Sequence, residues 1–209
     1  MSEVLEKKVL DRLSSDGEQV VAELFTKHDN QFRRLLEFRM DRRLYGRVDS
    51  SDILQEAYLD AVNRIDHYLG DLTVSVFVWL RGIVNQTLIN VHRRHLGVQA
   101  RDAGREENLR KGGPHTTSDS LAAHLVGHLT SPSQAAIKAE MTMRLEEALD
   151  GMDQIDREVL ILRHFEELTN NEVAEVLGLQ KAAASNRYVR ALARLKKILE
   201  SIPGFLSGE

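Results

Sequence analysis

No cysteine occurs among the 209 residues. That excludes disulfides, thiolate metal sites and thiol-based redox sensing within this chain, and it fits a reducing cytoplasm. Proline is scarce, with three in the whole sequence. No segment longer than a few residues alternates with period two, which argues against strands. No stretch approaches the roughly 20 apolar residues of a membrane span, and the opening segment, residues 1–13, is charged throughout, unlike a signal peptide. A basic excess is also missing. The 28 Lys and Arg against 32 Asp and Glu give a net charge of −4, whereas domains that wrap nucleic acid usually carry a strongly basic balance. What remains is 42% apolar and 29% charged, rich in Leu, Ala, Glu and Arg at helical spacing. We expect a cytoplasmic all-α protein without membrane insertion, with room for one ordinary domain or two small ones.

The charges are segregated. Basic residues gather at 33–47, 81–111 and 181–197, and acidic residues dominate at 49–60 and 140–175, which suggests separate faces for DNA and for a protein partner. Helical periodicity runs from about Val4 to Arg43, from Ser50 to Tyr68 and from Val76 to His95. Between Gln99 and about Pro132 the texture changes to Gly104, Gly112, Gly113, Pro114 and a Thr-Thr-Ser cluster, the composition of a linker. An apolar stripe of Leu121, Leu125 and Leu129 predicts a helix inside it. From Ser133 to Leu199 the sequence is helical again, punctuated by Gly151 and Gly178. The simplest parse is two small helical domains, 1–98 and 133–209, joined by a flexible linker at 99–132.

The sharpest local signal is residues 168–179, Leu-Thr-Asn-Asn-Glu-Val-Ala-Glu-Val-Leu-Gly-Leu. Thr169 or Asn170 caps a short helix, Val173, Ala174, Val176 and Leu177 are its apolar residues, and Gly178 is its left-handed stop. A second helix follows within a few residues, as in a helix-turn-helix. On it, Ala184, Tyr188, Ala191, Leu192, Leu195 and Ile198 form the packed stripe, and Arg187, Arg190, Arg194 and Lys197 fall on a neighbouring one. That pattern suits a recognition helix, with cations for phosphates and amino-terminal residues for base edges. The helical wheel turns Asn186 and Arg190 outward together with Ala182 and Ala183.

Residues 76–95 carry a second signal. Trp79, Leu80, Ile83, Val84, Thr87, Leu88 and Val91 mark a buried face and leave Arg81, Asn85, Gln86 and Arg93 on the polar side, with Asn90 and Arg94 nearer the packed edge. Amides beside guanidinium groups can read bases or hold single-stranded DNA. Phe77 and Trp79 are assigned to the core. His92, His95, His115, His124 and His128 are the candidates for metal ligation. No carboxylate-rich motif of the H-E-x-x-H type accompanies them, so they are read as satisfied or solvated, and no metal, cofactor or enzymatic activity is expected.

Over nearly its whole length the chain resembles the extracytoplasmic-function (ECF) sigma factors of the sigma-70 family. Residues 49–61, Asp-Ser-Ser-Asp-Ile-Leu-Gln-Glu-Ala-Tyr-Leu-Asp-Ala, resemble the region-two helix that docks on the β′ clamp of RNA polymerase core. The resemblance assigns Asp49, Asp52, Gln55 and Glu56 to core binding. The Trp79-to-Arg94 helix resembles the segment that melts and reads the minus-ten element, which implicates Asn85, Gln86, Asn90, Arg93 and Arg94. Residues 168–196 resemble region four, which reads the minus-thirty-five element and touches the β flap. Ala183, Ser185, Asn186, Arg187, Arg190 and Arg194 are the residues that likeness implicates. Residues 92–106 resemble a subgroup common in planctomycete bacteria. The expected partners are polymerase core and promoter DNA, with room for an anti-sigma factor or a regulatory kinase.

Two departures from the family pattern bear on specificity. Ala182-Ala183-Ala184 stands where the family commonly has Gly-Thr-Val, removing a hydroxyl at the start of the recognition helix, and Val76 stands where an aromatic is frequent. An autonomous helix-turn-helix regulator is the alternative, but it leaves the acidic 52–60 face and the Trp79 helix without a role. The expected mechanism is coupled binding. Docking on polymerase fixes two DNA-reading surfaces at a set spacing and raises their effective concentration on one promoter, so a net-acidic chain should bind DNA poorly alone.

Overall fold

The computed structural model describes residues 2–96, 114–127 and 135–202. The described residues form α-helices and one short 3₁₀ turn, with no strand among them. The chain divides into two compact units, 1–103 and 104–209. The planctomycete-like stretch beyond residue 96, Leu129 and His128 lie outside the described residues.

The first unit contains α1 (Ser2–Ser15), α2 (Gly17–Arg39), a 3₁₀ turn (Arg42–Leu44), α3 (Ser50–Asn63), α4 (Ile65–Gly70) and α5 (Val76–Leu96). Periodicity alone predicts uninterrupted helices over Val4–Arg43 and Ser50–Tyr68, but neither is continuous, and α2 stops at Arg39. The first breaks at Asp16, whose φ of −131° and ψ of 46° leave the helical region. Gly17 follows it and faces Ile65, whose Cδ1 would stand 2.8 Å from a Cβ there. The second breaks at Arg64, with φ −110° and ψ 7°, which redirects the chain so that α4 packs on α1. Apolar spacing resumes on both sides of each break, so the pattern does not register them.

α5 is the central helix. Phe77, Leu80, Ile83, Val84, Leu88 and Val91 are buried on it, together with Arg81, Thr87 and His92. A helix packed around most of its circumference has no simple polar side. Arg81 accordingly corrects the sequence reading: it is 7% exposed, one turn from Phe77 and inside the bundle. Phe77 does belong to the core, with Phe32 stacked at 5.9 Å and His28 at 4.6 Å. Trp79 is half-buried and stacks on Tyr68 at 4.3 Å. The Asp41 amide donates to His92 Nε2 at 3.2 Å. Burial pushes the His92 imidazole below its ordinary range, which keeps that nitrogen an acceptor.

The second unit contains α6 (Pro114–Gly127), α7 (Ala135–Asp150), α8 (Gln154–His164), α9 (Asn170–Leu177) and α10 (Lys181–Ser201). The helix predicted from the 121/125/129 stripe is α6. It buries Leu121, Ala122 and Val126 and packs on α7 and α8. Its Ser118 hydroxyl donates to Asp150 Oδ1 at 2.7 Å. Leu145, Leu149, Leu160, Ile161, Leu162, Val173, Ala184 and Ala191 fill the core. Arg157, 2% exposed, donates to the Leu149 and Met152 carbonyls and fastens the α7–α8 turn. Such charge-assisted bonds offset the cost of burying a guanidinium.

Candidate functional site

The α9–turn–α10 segment is built by local chemistry. Thr169 caps α9 in a full capping box: its hydroxyl accepts from the Glu172 amide at 3.4 Å, and the Glu172 carboxylate accepts from the Thr169 amide at 2.7 Å. Gly178 closes the helix at φ 63° and ψ 34°, a left-handed conformation that a Cβ would strain. Asn170 Nδ2 donates to the Lys181 carbonyl at 3.0 Å, tying the start of α9 to the start of α10. Two short-linked helices with this turn form a helix-turn-helix.

On α10, Ala182, Ser185, Asn186, Val189, Arg190 and Ala193 are exposed, and Ala183 is half-buried. Arg190 has no partner among the described residues. The other two arginines of the expected cationic stripe are engaged within the unit. Arg187 Nη1 donates to Asp156 Oδ1 at 2.7 Å and to Asp153 Oδ1 at 3.2 Å. These carboxylates, Asp156 foremost, raise the pKa of its guanidinium further. Asp153 is also the N-cap of α8, so Arg187 welds the recognition helix to the start of its neighbour. Arg194 Nη2 donates to the Gly151 carbonyl at 3.0 Å. Tyr188 packs under Arg163, 5.3 Å from its ring, and its hydroxyl lies 3.1 Å from His164 Nε2. Over residues 182–193 the outward strip is therefore largely small and apolar, with Ser185, Asn186 and Arg190 as its polar groups, and exposed Lys197 follows further along. Val189, 63% exposed, was absent from the sequence-derived set. Its wheel position between Ser185 and Asn186 was the signal that could have found it.

In the first unit, Asp52, Gln55 and Glu56 project from the exposed side of α3, opposite buried Ile53, Leu54 and Ala57. Asp49 is the N-cap of that helix, accepting from the Ser51 amide at 2.7 Å. That bond, first among the causes, holds its carboxyl below the usual range. On α5, Asn85, Gln86 and Asn90 are half-buried, and Gln86 Nε2 donates to Asn90 Oδ1 at 3.3 Å. Arg93 and Arg94 are exposed. Arg94 Nη2 donates to Glu56 Oε2 at 2.6 Å, joining α5 to α3. Among the described residues no group of three or more His, Asp or Glu is placed to hold a metal ion, and no described helix is long and apolar enough to cross a membrane.

A two-unit helical protein ending in a helix-turn-helix is the class that this geometry defines, and known proteins narrow it. The family described as sigma-70, region 4 matches residues 142–195. The RNA polymerase sigma factor YlaC of Bacillus subtilis is 31% identical over 156 residues, covering 75% of this chain and 80% of YlaC. The ECF sigma factor SigD of Mycobacterium bovis is 29% identical over 188 residues, covering 85% and 81%. The sigma-H factor of Pseudomonas aeruginosa is 21% identical over 198 residues, covering 91% and 97%. Among solved structures, CnrH in complex with the cytosolic domain of CnrY shares the fold, with a TM-score of 0.50 and 19% identity over 93% of this chain and 97% of CnrH. The chain belongs to the ECF sigma factors of the sigma-70 family.

Proposed function

We propose that the chain acts as an RNA polymerase sigma factor, binding core polymerase and directing promoter-specific transcription initiation. The observation that carries this reading is a similarity to sigma factors that spans both units, joined to a helix-turn-helix whose outward face offers Asn186 and Arg190. An autonomous regulator would need only the second unit. The role is regulatory: the chain supplies specificity, and polymerase supplies the chemistry.

Within this reading, Asp52, Gln55 and Glu56 dock on the β′ clamp, and Asp49 sets the start of the helix that carries them. Asn85, Gln86, Asn90, Arg93 and Arg94 read and open the minus-ten element. The half-burial of the three amides suits bases drawn out of the stack toward them, because a side chain already held in place loses little entropy on contact. Ser185, Asn186 and Arg190 read the minus-thirty-five element, with Ala183 against the backbone. Arg187 and Arg194 hold α10 at its angle and lend positive potential to nearby phosphates. The second unit also meets the β flap. Alanine at 182–184 leaves recognition at that end of α10 to apolar and shape contacts. An anti-sigma factor or a regulatory kinase is a further partner of this reading.

The test is capture of core polymerase by the tagged chain. Reversing charge at Asp52 and Glu56 together should abolish capture while the helical circular dichroism spectrum is retained. Unchanged capture would remove the docking assignment.

A further inference from the structure

Glu56 and Arg94 belong, on the reading above, to surfaces with different partners: one docks on polymerase, the other meets promoter DNA. In the structure they are each other's partner, at 2.6 Å across α3 and α5. We infer that this ion pair is a latch, in which Glu56 occupies Arg94 until core polymerase engages Glu56 and releases Arg94 to DNA.

Glu56 and a DNA phosphate compete for a single guanidinium. A carboxylate and a DNA phosphate are both oxyanions that take up the same donors, so Glu56 is a built-in rival of the phosphate. The two helices pack on one another, and each carries buried apolar residues, Ile53 and Ala57 on α3 and Leu80, Val84 and Leu88 on α5; close-packed elements do not yield. Release therefore needs only side-chain rotation. Both side chains are about half exposed, 56% for Arg94 and 45% for Glu56, so polymerase and DNA can each reach one of them. An exposed pair of this kind biases its members by about two- to fivefold, not by orders of magnitude, and the latch accordingly tunes DNA binding and does not abolish it. Linkage makes it reciprocal: DNA that takes Arg94 frees Glu56, and must raise affinity for core by the same factor. The inference rests on the docking reading given under Proposed function and adds to it an order of events.

The experiment compares Arg94→Gln in the free full-length chain and in the holoenzyme, each titrated with a fluorescent bubble-containing promoter at fixed salt. In the holoenzyme R94Q should cost about fivefold or more in affinity, and in the free chain less than about twofold, because there the guanidinium is already engaged. Glu56→Gln should raise the free chain's affinity about threefold beyond the gain from Asp52→Asn, which removes an equal charge one turn away without releasing an arginine. That excess should vanish in the R94Q background. Equal losses from R94Q in both states, or an E56Q gain no larger than that of D52N, overturn the latch. Capture of core by E56Q is read separately. Unchanged capture removes Glu56 from the docking surface and with it the trigger, whereas weakened capture with equal R94Q losses overturns the latch alone.

Discussion

Arg187→Ala separates a positioning role from a DNA contact more sharply than any other substitution in the recognition helix. The side chain reaches back to Asp156 at 2.7 Å and Asp153 at 3.2 Å. Asp156 is 17% exposed, so truncation leaves a mostly buried carboxylate without its best donor. A hydrogen bond to a charged group contributes about 1.5–3 kcal/mol. The Asp153 contact, with that carboxylate 55% exposed, adds only what a surface pair gives, a few tenths at most. We expect a loss of about 2 kcal/mol in the second unit, equivalent to about 8–16 °C in Tm for a unit of this size. Native-state hydrogen exchange on the full chain is the suitable assay because it reports each unit by its own amides. Those of buried Leu160 and Ala191 should exchange about thirtyfold faster, and those of Leu35 and Leu80 in the first unit should not change. The slope of DNA affinity against salt should change by well under one, because a guanidinium already paired with two carboxylates releases little counterion on meeting phosphate. Unchanged exchange combined with a slope shallower by about one would identify Arg187 as a phosphate contact and refute the positioning role.

Other outcomes follow from neighbouring residues. Arg190→Ala, with no partner among the described residues to lose, should leave stability intact, cost about 1–3 kcal/mol on the preferred upstream element and blur one base position in a selection experiment. Gly178→Ala should destabilise the second unit by about 1–2 kcal/mol in chemical denaturation, the cost of a Cβ in the left-handed region. The Glu146 carboxyl is pushed up to about 7 from 4.5 by its hydrogen bond with Asp119, by burial and by repulsion from Asp119, Asp150 and Glu147. The folded state therefore binds more protons than the unfolded between those values, and stability of the α6–α7 contact should fall as pH rises through that window. Exchange rates of α6 amides at pH 5 and pH 8, corrected for intrinsic rates, check this, and Glu146→Gln should flatten the dependence.

What the sequence made legible was what is local. Thr169, one of the two caps the sequence offers, and Gly178 sit within ten residues of one another, and the chemistry of a cap and a left-handed stop acts at that range, so the helix-turn-helix could be read directly. The outward placement of Asn186 and Arg190 followed from helical geometry in the same way. The partners of Arg187 lie 34 and 31 residues away and that of Arg94 lies 38 residues away. Nothing in a helical wheel distinguishes an arginine aimed at phosphate from one aimed at a distant carboxylate. Arg81 was assigned to a polar side because the wheel assumes one buried face, whereas α5 is surrounded. The breaks at Asp16 and Arg64 escaped for a related reason: they accompany the packing of α4 on α1 and of Gly17 near Ile65, which are tertiary facts.

The central claim is that this chain confers promoter choice on polymerase. Transcription by purified core polymerase on a promoter library, with and without the chain, tests it most directly. The account predicts new transcripts whose start sites share two upstream elements at fixed spacing and appear only when chain and core are both present, while the chain alone binds duplex DNA weakly and with steep salt dependence. No change in the transcripts, together with nanomolar sequence-specific binding of a duplex by the chain alone at physiological salt, would contradict it.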